Sequence, residues 1–267
     1  MPIIPVESRD DPRLAPFAQL PARAAKRRAP IVAEGAFLVE RLAAGALPLE
    51  AILCEPRHAE RWREQTDSQT PIYTAPKEEL EKILGFPFHR GVLAWAHRPP
   101  PPDWKSLLRE ALTPAVVPIC VGVSDPQNIG LILRSAAALG AALAIVGPNC
   151  ADPFARRVAR TSMGANFSFP IYETETLPQD LRELQEAGFE LVAAALSDKA
   201  ERLPDFRAGK RTAVLLGGEG FGLSSEWIAP CSRQVVIPMQ SGIDSLNVGV
   251  AAGILLHHIR CLGSQDN

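Results

Sequence analysis

Short apolar runs and helical stripes alternate regularly over the second half of this 267-residue chain. Apolar runs bounded by Gly, Pro or polar residues predict buried strands, and apolar residues three or four apart predict helices. The predicted strands are 116–123, 142–147, 168–172, 190–196, 213–217 and 234–237, and the predicted helices are 128–139, 152–160, 178–187 and 245–262. Strands that alternate with helices form a mostly parallel sheet covered on both faces. We therefore predict an α/β domain over residues 115–267.

The first part of the chain predicts a smaller α/β domain. Its predicted elements are a helix from about Glu34 to Ala44, a strand at 49–55, a helix near 57–65, a short strand at 71–75, a helix at 77–84 and a strand at 91–97. The segment RPPPPDW (98–104) follows, and four consecutive prolines cannot continue a helix or a central strand. We predict an N-terminal domain at 1–97, with its core from about residue 23, and a linker at 98–114.

The charge balance gives no overall attraction to nucleic acid. The net charge is −2, with 16 basic and 15 acidic side chains in residues 1–114 and 12 against 15 in residues 115–267. Any RNA contact must therefore come from local basic clusters. Two clusters stand out, Arg23-Lys26-Arg27-Arg28 and Arg156-Arg157-Arg160. Most such clusters are ordinary solvated surfaces. The second cluster, however, lies just before TSMGA (161–165), and a competing interpretation is that it forms part of an RNA-binding cleft.

Cysteine usage and hydropathy bound the class of protein. The five cysteines are scattered and include no CxxC pair, a pattern typical of proteins in the reducing cytosol. It argues against a disulfide scaffold or a structural zinc site. His257, His258 and Cys261 have no further ligand at a recognisable spacing, so we predict no metal site. The first residues lack a signal region, and the longest apolar run, Val248–Leu256, is shorter than the ~20 residues that span a bilayer. We expect a soluble, cytoplasmic protein with no membrane partner.

Polar residues follow three of the predicted strands, in the segments 124–141, 214–227 and 235–259. Open α/β sheets bind ligands just beyond the carboxyl ends of their strands. Three such loops in one domain predict a single binding site.

Arg134 is the only charged side chain between Asp125 and Asp152, and it lies in an otherwise apolar helix. A buried guanidinium needs a partner, because an unpaired buried charge is very costly. One interpretation is a structural arginine held by a core carboxylate or by helix-end carbonyls, and the other is an arginine that binds a ligand phosphate. Asn128, at the strand-to-helix turn, is expected to cap this helix and could also place a donor in the site.

The second polar loop places Glu219 among glycines at 217, 218, 220 and 222. Glycine there permits unusual backbone angles and close approach of a ligand, although a merely flexible turn would look the same. No placement of G-x-G-x-x-G fits, which excludes a standard dinucleotide loop, and no G-x-S-x-G elbow is present. In the third loop we expect Asp244 or Ser245 to cap the last helix. Small residues early in that helix predict that it packs closely on a neighbour.

These three segments resemble the signature motifs of the SpoU (TrmH-like) family of RNA ribose methyltransferases, in the SPOUT superfamily. The motifs are D-P-x-N-x-G with an Arg six residues after the Asn, then G-x-E-G-x-G-L, then I-P-M with S-L-N-V downstream. The three occur in order over most of residues 115–262. Residues 23–97 resemble, less specifically, the ribosomal-protein-like substrate-binding domain of many members.

The resemblance implies a trefoil-knotted domain that binds S-adenosylmethionine and methylates a ribose 2′-hydroxyl of RNA. The implied cofactor-binding residues are Leu196, Gly217, Ile237 and Leu246. The implied catalytic residues are Asn128, Arg134, Glu219, Ser245 and Asn247. With the basic clusters taken as RNA contacts, the RNA-binding candidates are Arg27, Arg28, Arg156, Arg157 and Arg160. Members form homodimers, and the accessory domain favours ribosomal RNA over transfer RNA. Two alternatives stay open: a SPOUT-fold protein that binds RNA or S-adenosylmethionine without catalysis, and a SPOUT enzyme that methylates a base.

Overall fold

The computed structural model describes residues 3–8, 10–18, 29–45, 47–67, 69–220, 222–242 and 245–262. The chain forms two compact units. The first comprises Met1–Pro100 and Phe154–Ser168, and the second comprises Pro101–Pro153 and Phe169–Asn267. The segment at 154–168 thus packs with the N-terminal unit, although the chain on either side of it belongs to the second.

The first unit is a five-stranded mixed sheet flanked by helices. Its strands are β1 (Ile3–Pro5), β2 (Ile31–Glu34), β3 (Leu49–Cys54), β4 (Ile72–Thr74) and β5 (Val92–Ala96), in the order β1-β4-β3-β5-β2. Its helices are α1 (Ala36–Ala43), α2 (Ala59–Gln65), α3 (Lys77–Leu84) and α6 (Arg156–Thr161), with 3₁₀ turns at Pro12–Leu14, Pro56–His58 and Ala165–Phe167. β1, β4 and β3 are parallel, whereas β5 pairs antiparallel with β2 and β3. Phe17, Leu53 and Phe88 are almost fully buried in its core.

The second unit is a seven-stranded sheet in which every neighbouring pair of strands is parallel. Its strands are β6 (Ala115–Val121), β7 (Ala144–Val146), β8 (Ile171–Glu173), β9 (Glu190–Ala194), β10 (Glu201–Arg202), β11 (Arg211–Gly217) and β12 (Arg233–Val236), in the order β10-β12-β9-β11-β6-β7-β8. Its helices are α4 (Trp104–Glu110), α5 (Pro126–Ala138), α7 (Leu177–Glu186), α8 (Ser225–Ile228) and α9 (Val248–His257), followed by a π-helical turn at His258–Leu262. The predicted α/β class with a mostly parallel sheet is confirmed, and the knot stays a prediction.

The central strands are apolar because both of their faces are covered. All seven residues of β6 are buried, as are the five residues 212–216 of β11. Leu181 and Leu184 of α7 and Trp104 of α4 belong to the same hydrophobic cluster as Ile119 and Leu215. This packing fixes the carboxyl ends of β6, β9, β11 and β12 side by side.

The observed elements correct several predicted boundaries. Glu34 lies in β2 rather than in a helix, because Gly35 adopts a φ of +91° and turns the chain before α1 begins at Ala36. The last helix begins at Val248, not at 245, and becomes π-helical from His258. Five elements that the pattern did not predict are β1, β2, β10, α4 and α8.

A buried carboxyl near the start of α7 makes stability depend on pH. Asp180 is 3% exposed and accepts a hydrogen bond from the Thr174 hydroxyl. Burial raises the pKa of Asp180 above its ordinary value, and this outweighs the opposing effect of the Thr174 hydrogen bond. The folded state therefore holds the proton more tightly than the unfolded state does. The stability that this proton gives is full below the ordinary carboxyl pKa and is lost as the pH rises through the raised one.

We expect Asp180→Asn to remove this dependence, because the amide oxygen can still accept from Thr174 while the charge is gone. The free energy of unfolding of the variant minus that of the wild type should therefore be larger at pH 7.5 than at pH 4.5. Urea unfolding of both proteins at the two pH values measures the difference. An equal difference in the free energy of unfolding at both pH values would contradict the assignment.

Among the described residues, no helix combines the length and the apolar character needed to cross a membrane.

Candidate active site

One cavity of about 690 Å³ lies at the carboxyl ends of β9, β11 and β12. This volume is within the range of small-molecule sites, roughly 300–1,000 Å³. All four predicted cofactor-binding residues line it, together with three of the predicted catalytic residues: Leu196, Gly217, Ile237, Leu246, Glu219, Ser245 and Asn247. Parallel strands bring these loops together because their carboxyl ends share one edge of the sheet.

Glycines at the end of β11 allow two other segments of the chain, at Gly122 and Gly222, to pass close to its backbone. A Cβ on Gly217 would lie 2.3 Å from the carbonyl carbon of Gly222, and one on Gly218 would lie 2.0 Å from the Gly122 oxygen. Gly218 and Gly222 form an isolated antiparallel bridge, so the loop folds back on itself. Any side chain at 217 or 218 would collide with backbone. Gly217 and Gly218 are therefore needed because other backbone segments pass close to them, a reason that the sequence did not reveal; the predicted close approach of a ligand stays a prediction.

Asn128, Glu219 and Asn247 form a hydrogen-bonded cluster, although they come from three separate loops. The Glu219 carboxylate oxygen Oε1 accepts from Asn128 Nδ2 at 2.9 Å and from Asn247 Nδ2 at 2.8 Å. Asn247 Nδ2 also lies 2.8 Å from Asn128 Oδ1. Asn128 is 2% exposed, whereas Glu219 and Asn247 are exposed at the cavity. One carboxylate thus fixes the orientation of both amides.

Both predicted helix caps are wrong, because in each case a neighbouring polar residue caps the helix instead. Asp125 caps α5 by accepting from the Gln127 backbone N–H, so Asn128 lies inside the helix and is free to bind Glu219. Asn247 caps α9 by accepting from the Gly249 and Val250 N–H groups at 3.0 and 3.2 Å, so Ser245 lies outside the helix. Asp244, the other predicted cap, lies outside the described residues. Asp, Asn and Ser are all competent caps, and the turn geometry chooses among them.

Arg134 is exposed on α5, so the interpretation of a structural arginine held by a core carboxylate or by helix-end carbonyls is wrong. It forms no hydrogen bond or ion pair with any residue that the structure describes, which leaves it available to bind an external group.

The small residues of α9 lie against α5. Ser135 of α5 faces α9, where a Cβ on Gly253 would lie 3.4 Å from the Ser135 Oγ. A Cβ on Gly249 would come within 2.6 Å of Leu131 Cβ, so the small residues of α9 do permit close helix packing.

Comparisons with known proteins agree with this arrangement. Residues 115–257 match the sequence profile of the SpoU rRNA Methylase family. An uncharacterized tRNA/rRNA methyltransferase of Mycobacterium bovis is 35% identical over 93% of this chain and 88% of its own length. The chain belongs to the SpoU rRNA methylase family. This confirms the resemblance inferred from the three motifs.

Two further proteins are similar to this SpoU family member. The 23S rRNA (guanosine-2′-O-)-methyltransferase RlmB of Acinetobacter baylyi is 31% identical over 70% of this chain and 76% of its own length. The crystal structure of an AdoMet-bound rRNA methyltransferase from Sinorhizobium meliloti superposes with a TM-score of 0.79 and covers 96% of both chains at 24% identity. The latter shows that the fold is shared over both units.

The predicted RNA-binding arginines of this SpoU protein differ in their surroundings. Arg156 lies 3.3 Å from the buried carboxylate of Glu34, its guanidinium is 4.3 Å from the Phe86 ring centroid, and burial lowers its pKa. These contacts favour a role in attaching α6 to β2. Arg157 and Arg160 are exposed on the same helix. Arg27 and Arg28 lie outside the described residues, and RNA binding by any of the five stays a prediction.

Sequence reasoning named Gly218 only as one of the glycines around Glu219, and it did not single out Met239 or Leu255; all three residues line the cavity. The motif was a usable signal for Met239, because this residue stands inside I-P-M. Leu255 carried no such signal, since its spacing in α9 is that of an ordinary core residue. Among the described residues, no group of three or more His, Cys, Asp or Glu side chains is placed to hold a metal ion.

Proposed function

We propose that this RNA methyltransferase transfers the methyl group of S-adenosylmethionine to a ribose 2′-hydroxyl, with ribosomal RNA the favoured substrate. The observation that carries the proposal is the single cavity lined by the second and third motifs, with Asn128 of the first motif hydrogen-bonded at its edge. The name of the Acinetobacter baylyi relative supports the 2′-O position, and the AdoMet-bound structure supports the cofactor.

The volume and the lining residues of the cavity suit S-adenosylmethionine. Leu196, Ile237 and Leu255 give it apolar walls that suit an adenine ring, and the bare backbone at Gly217 and Gly218 offers peptide groups to polar atoms. When bound there, the sulfonium supplies an electrophilic methyl group. We infer that Leu196, Gly217, Ile237 and Leu246 hold the cofactor.

The protein's own groups then act on the attacking oxygen. A 2′-hydroxyl is a poor nucleophile until its proton leaves. A guanidinium stays protonated in proteins, so Arg134 is not the base. We infer that Arg134 binds the adjacent phosphate and stabilises the developing alkoxide, while the proton leaves through that phosphate or a water molecule. Glu219 orients Asn128 and Asn247, and Ser245 lies at the cavity as a further donor to the substrate.

The proposed reaction can be tested with two pools of unmodified RNA as substrates. Labelled methyl transfer to separate rRNA and tRNA, followed by nucleoside mass spectrometry, should give a 2′-O-methylnucleoside from the rRNA pool. A base-methylated product would overturn the ribose assignment, and a product from tRNA alone would overturn the substrate preference. Cofactor binding without transfer to either pool would favour the non-catalytic binding protein.

The predicted homodimer finds support in an exposed apolar stripe on α9. Val250 and Ile254 are 50% and 39% exposed and stand one helical turn apart. Arg134 is exposed on α5, the helix against which α9 packs. Exposed apolar patches mark interaction sites, and a two-fold dimer uses the same patch on both subunits. We infer that a second copy covers this stripe and contributes to the site near Arg134.

Ile254→Asp is expected to give a monomer with little methyl transfer, because a carboxylate in an apolar interface costs far more than it does in water. Light scattering after size-exclusion chromatography measures the mass. Leu112→Asp is the matched control, since Leu112 is 81% exposed in the same unit and lies outside the stripe. An Ile254→Asp protein with the mass of the wild type would contradict the interface.

A further inference from the structure

The first unit carries an aromatic and cationic surface that the proposed reaction does not use. Phe37, at the start of α1, is 46% exposed. One helical turn on, the Arg41 guanidinium lies 4.9 Å from the centroid of the Phe37 ring. Arg41 Nη1 also donates to the Met163 carbonyl oxygen at 2.6 Å, which fixes the guanidinium in place. We call Phe37, Arg41 and Met163 the Phe37 platform.

Met163 stands where a glycine is expected. The end of α6 is a Schellman motif, in which the Gly164 N–H bonds to the Ala159 oxygen at 2.8 Å and the Met163 N–H bonds to the Arg160 oxygen at 3.2 Å. Met163 occupies the left-handed position of this motif with a φ of +55°. Side chains other than Gly and Asn are strained there, yet the Met163 side chain is 37% exposed and adds little to the core. Backbone strain of this kind clusters at functional sites.

The charge around the platform is positive. Arg41, Arg157 and Arg160 are all exposed within this unit. The nearest acidic residue in α1, Glu40, is paired with Arg61 at 2.5 Å. The buried Glu34 is paired with Arg156. The three exposed guanidinium groups are therefore not neutralised by these two carboxylates.

We propose that the Phe37 platform binds an unpaired base of single-stranded or loop RNA, with Arg157 and Arg160 holding the flanking phosphates. Single exposed apolar residues need no explanation, but an exposed ring, a fixed guanidinium and a strained, exposed methionine coincide here in a unit that also exposes Arg157 and Arg160. Bases splayed from loops stack on aromatic rings and guanidinium planes, whereas bases in an A-form duplex are not accessible. The inference rests on the proposed function and adds a substrate feature, an unpaired nucleotide that is held apart from the methylated one.

Fluorescence anisotropy with a labelled 12-mer of oligouridine and with a blunt RNA duplex of equal length tests the proposal on the full chain. Phe37→Ala should weaken binding of the single strand by roughly 5- to 150-fold, the range measured when a stacking side chain is removed. Phe37→Trp should retain the affinity and Phe37→Leu should not, because leucine is apolar but cannot stack.

Salt dependence separates stacking from charge. Arg160→Ala should reduce the slope of log Kd against log salt by about 0.7 for each lost phosphate contact, whereas Phe37→Ala should leave the slope unchanged. Met163→Gly should raise the melting temperature, because it removes the strain, and should weaken binding of the single strand. A merely structural Met163 would give only the first of these effects.

Several outcomes would overturn the proposal. They are equal affinity for single strand and duplex, unchanged affinity in Phe37→Ala, and a change in oligomeric state without a change in RNA affinity, which would assign the platform to a protein interface. If Phe37→Ala binds RNA normally while the wild type methylates rRNA, this inference fails and the proposed function stands. If binding depends on Phe37 but no methyl group is transferred, the proposed function fails and the platform stands.

Discussion

Replacing Arg134 with alanine is expected to reduce the rate of methyl transfer by about 10²–10³, the usual cost of losing a group that stabilises developing charge. The melting temperature should not change, because Arg134 is exposed and makes no hydrogen bond or ion pair with the described part of the chain. The Kd for S-adenosylmethionine should also not change, since Arg134 is not among the residues that line the cavity. Single-turnover kinetics, thermal unfolding and isothermal titration calorimetry measure the rate, the melting temperature and the Kd.

Arg134→Lys should be nearly as damaging as Arg134→Ala, because an ammonium cannot reproduce a two-point contact with a phosphate. Full activity in the lysine variant would refute the two-point contact, and full activity in the alanine variant would remove Arg134 from the reaction. Arg182→Ala is the matched control. Arg182 is likewise an exposed arginine on a helix of the second unit, and its Nε donates only to the Pro178 carbonyl oxygen.

Gly218→Ala is expected to be the most damaging small substitution at the cavity. The added Cβ would lie 2.0 Å from the Gly122 carbonyl oxygen. Because this oxygen is a backbone atom and cannot rotate away as a side chain can, the end of β6 or the 217–223 loop must move. Overpacking of this kind costs typically about 1–3 kcal/mol in the free energy of unfolding. The same loop lines the cavity, so the affinity for S-adenosylmethionine should fall as well. Urea unfolding and calorimetric titration test both effects.

Gly209→Ala provides the comparison. A Cβ on Gly209 would lie 3.5 Å from the Glu190 carboxylate and 4.0 Å from the Arg211 carbonyl oxygen, both ordinary contact distances, and Gly209 has an ordinary φ. The free energy of unfolding of this variant should match or slightly exceed that of the wild type, because alanine reduces the entropy of the unfolded chain. If Gly218→Ala proves as stable as Gly209→Ala and binds the cofactor equally well, the close approach of the two backbones is not required.

The local pattern predicted the central strands of the second unit because these strands are covered on both faces, whereas it missed the short elements β10, α4 and α8. Continuous apolar runs such as VLL in β11 have few alternatives to a buried strand. Boundaries were less predictable. The helix predicted from about Glu34 begins two residues later, at Ala36, because Glu34 ends the strand IVAE and the positive φ of Gly35 separates the two elements.

The arrangement of the site could be predicted only in part. The order of the three motifs was enough to place Asn128, Glu219 and Asn247 at one edge of the sheet. Their mutual hydrogen bonds could not be foreseen, since Asn128 was expected to cap its helix and Asp244 or Ser245, not Asn247, was expected to cap the last one. Arg134 was expected to be buried because its helix is apolar all round. A hydrophobic pattern cannot tell whether a face is covered by the same chain or is left exposed.

The sequence by itself determined the α/β class, the family and seven of the residues that line the cavity, because strand alternation and motif spacing are local properties of the chain. The tertiary structure alone decided which polar residue caps each helix, where Arg134 points and that residues 154–168 pack with the first unit. These features depend on backbone geometry and on contacts between residues far apart in the chain. The Met163 carbonyl, for example, accepts a hydrogen bond from Arg41, 122 positions away. No local pattern encodes such a distance.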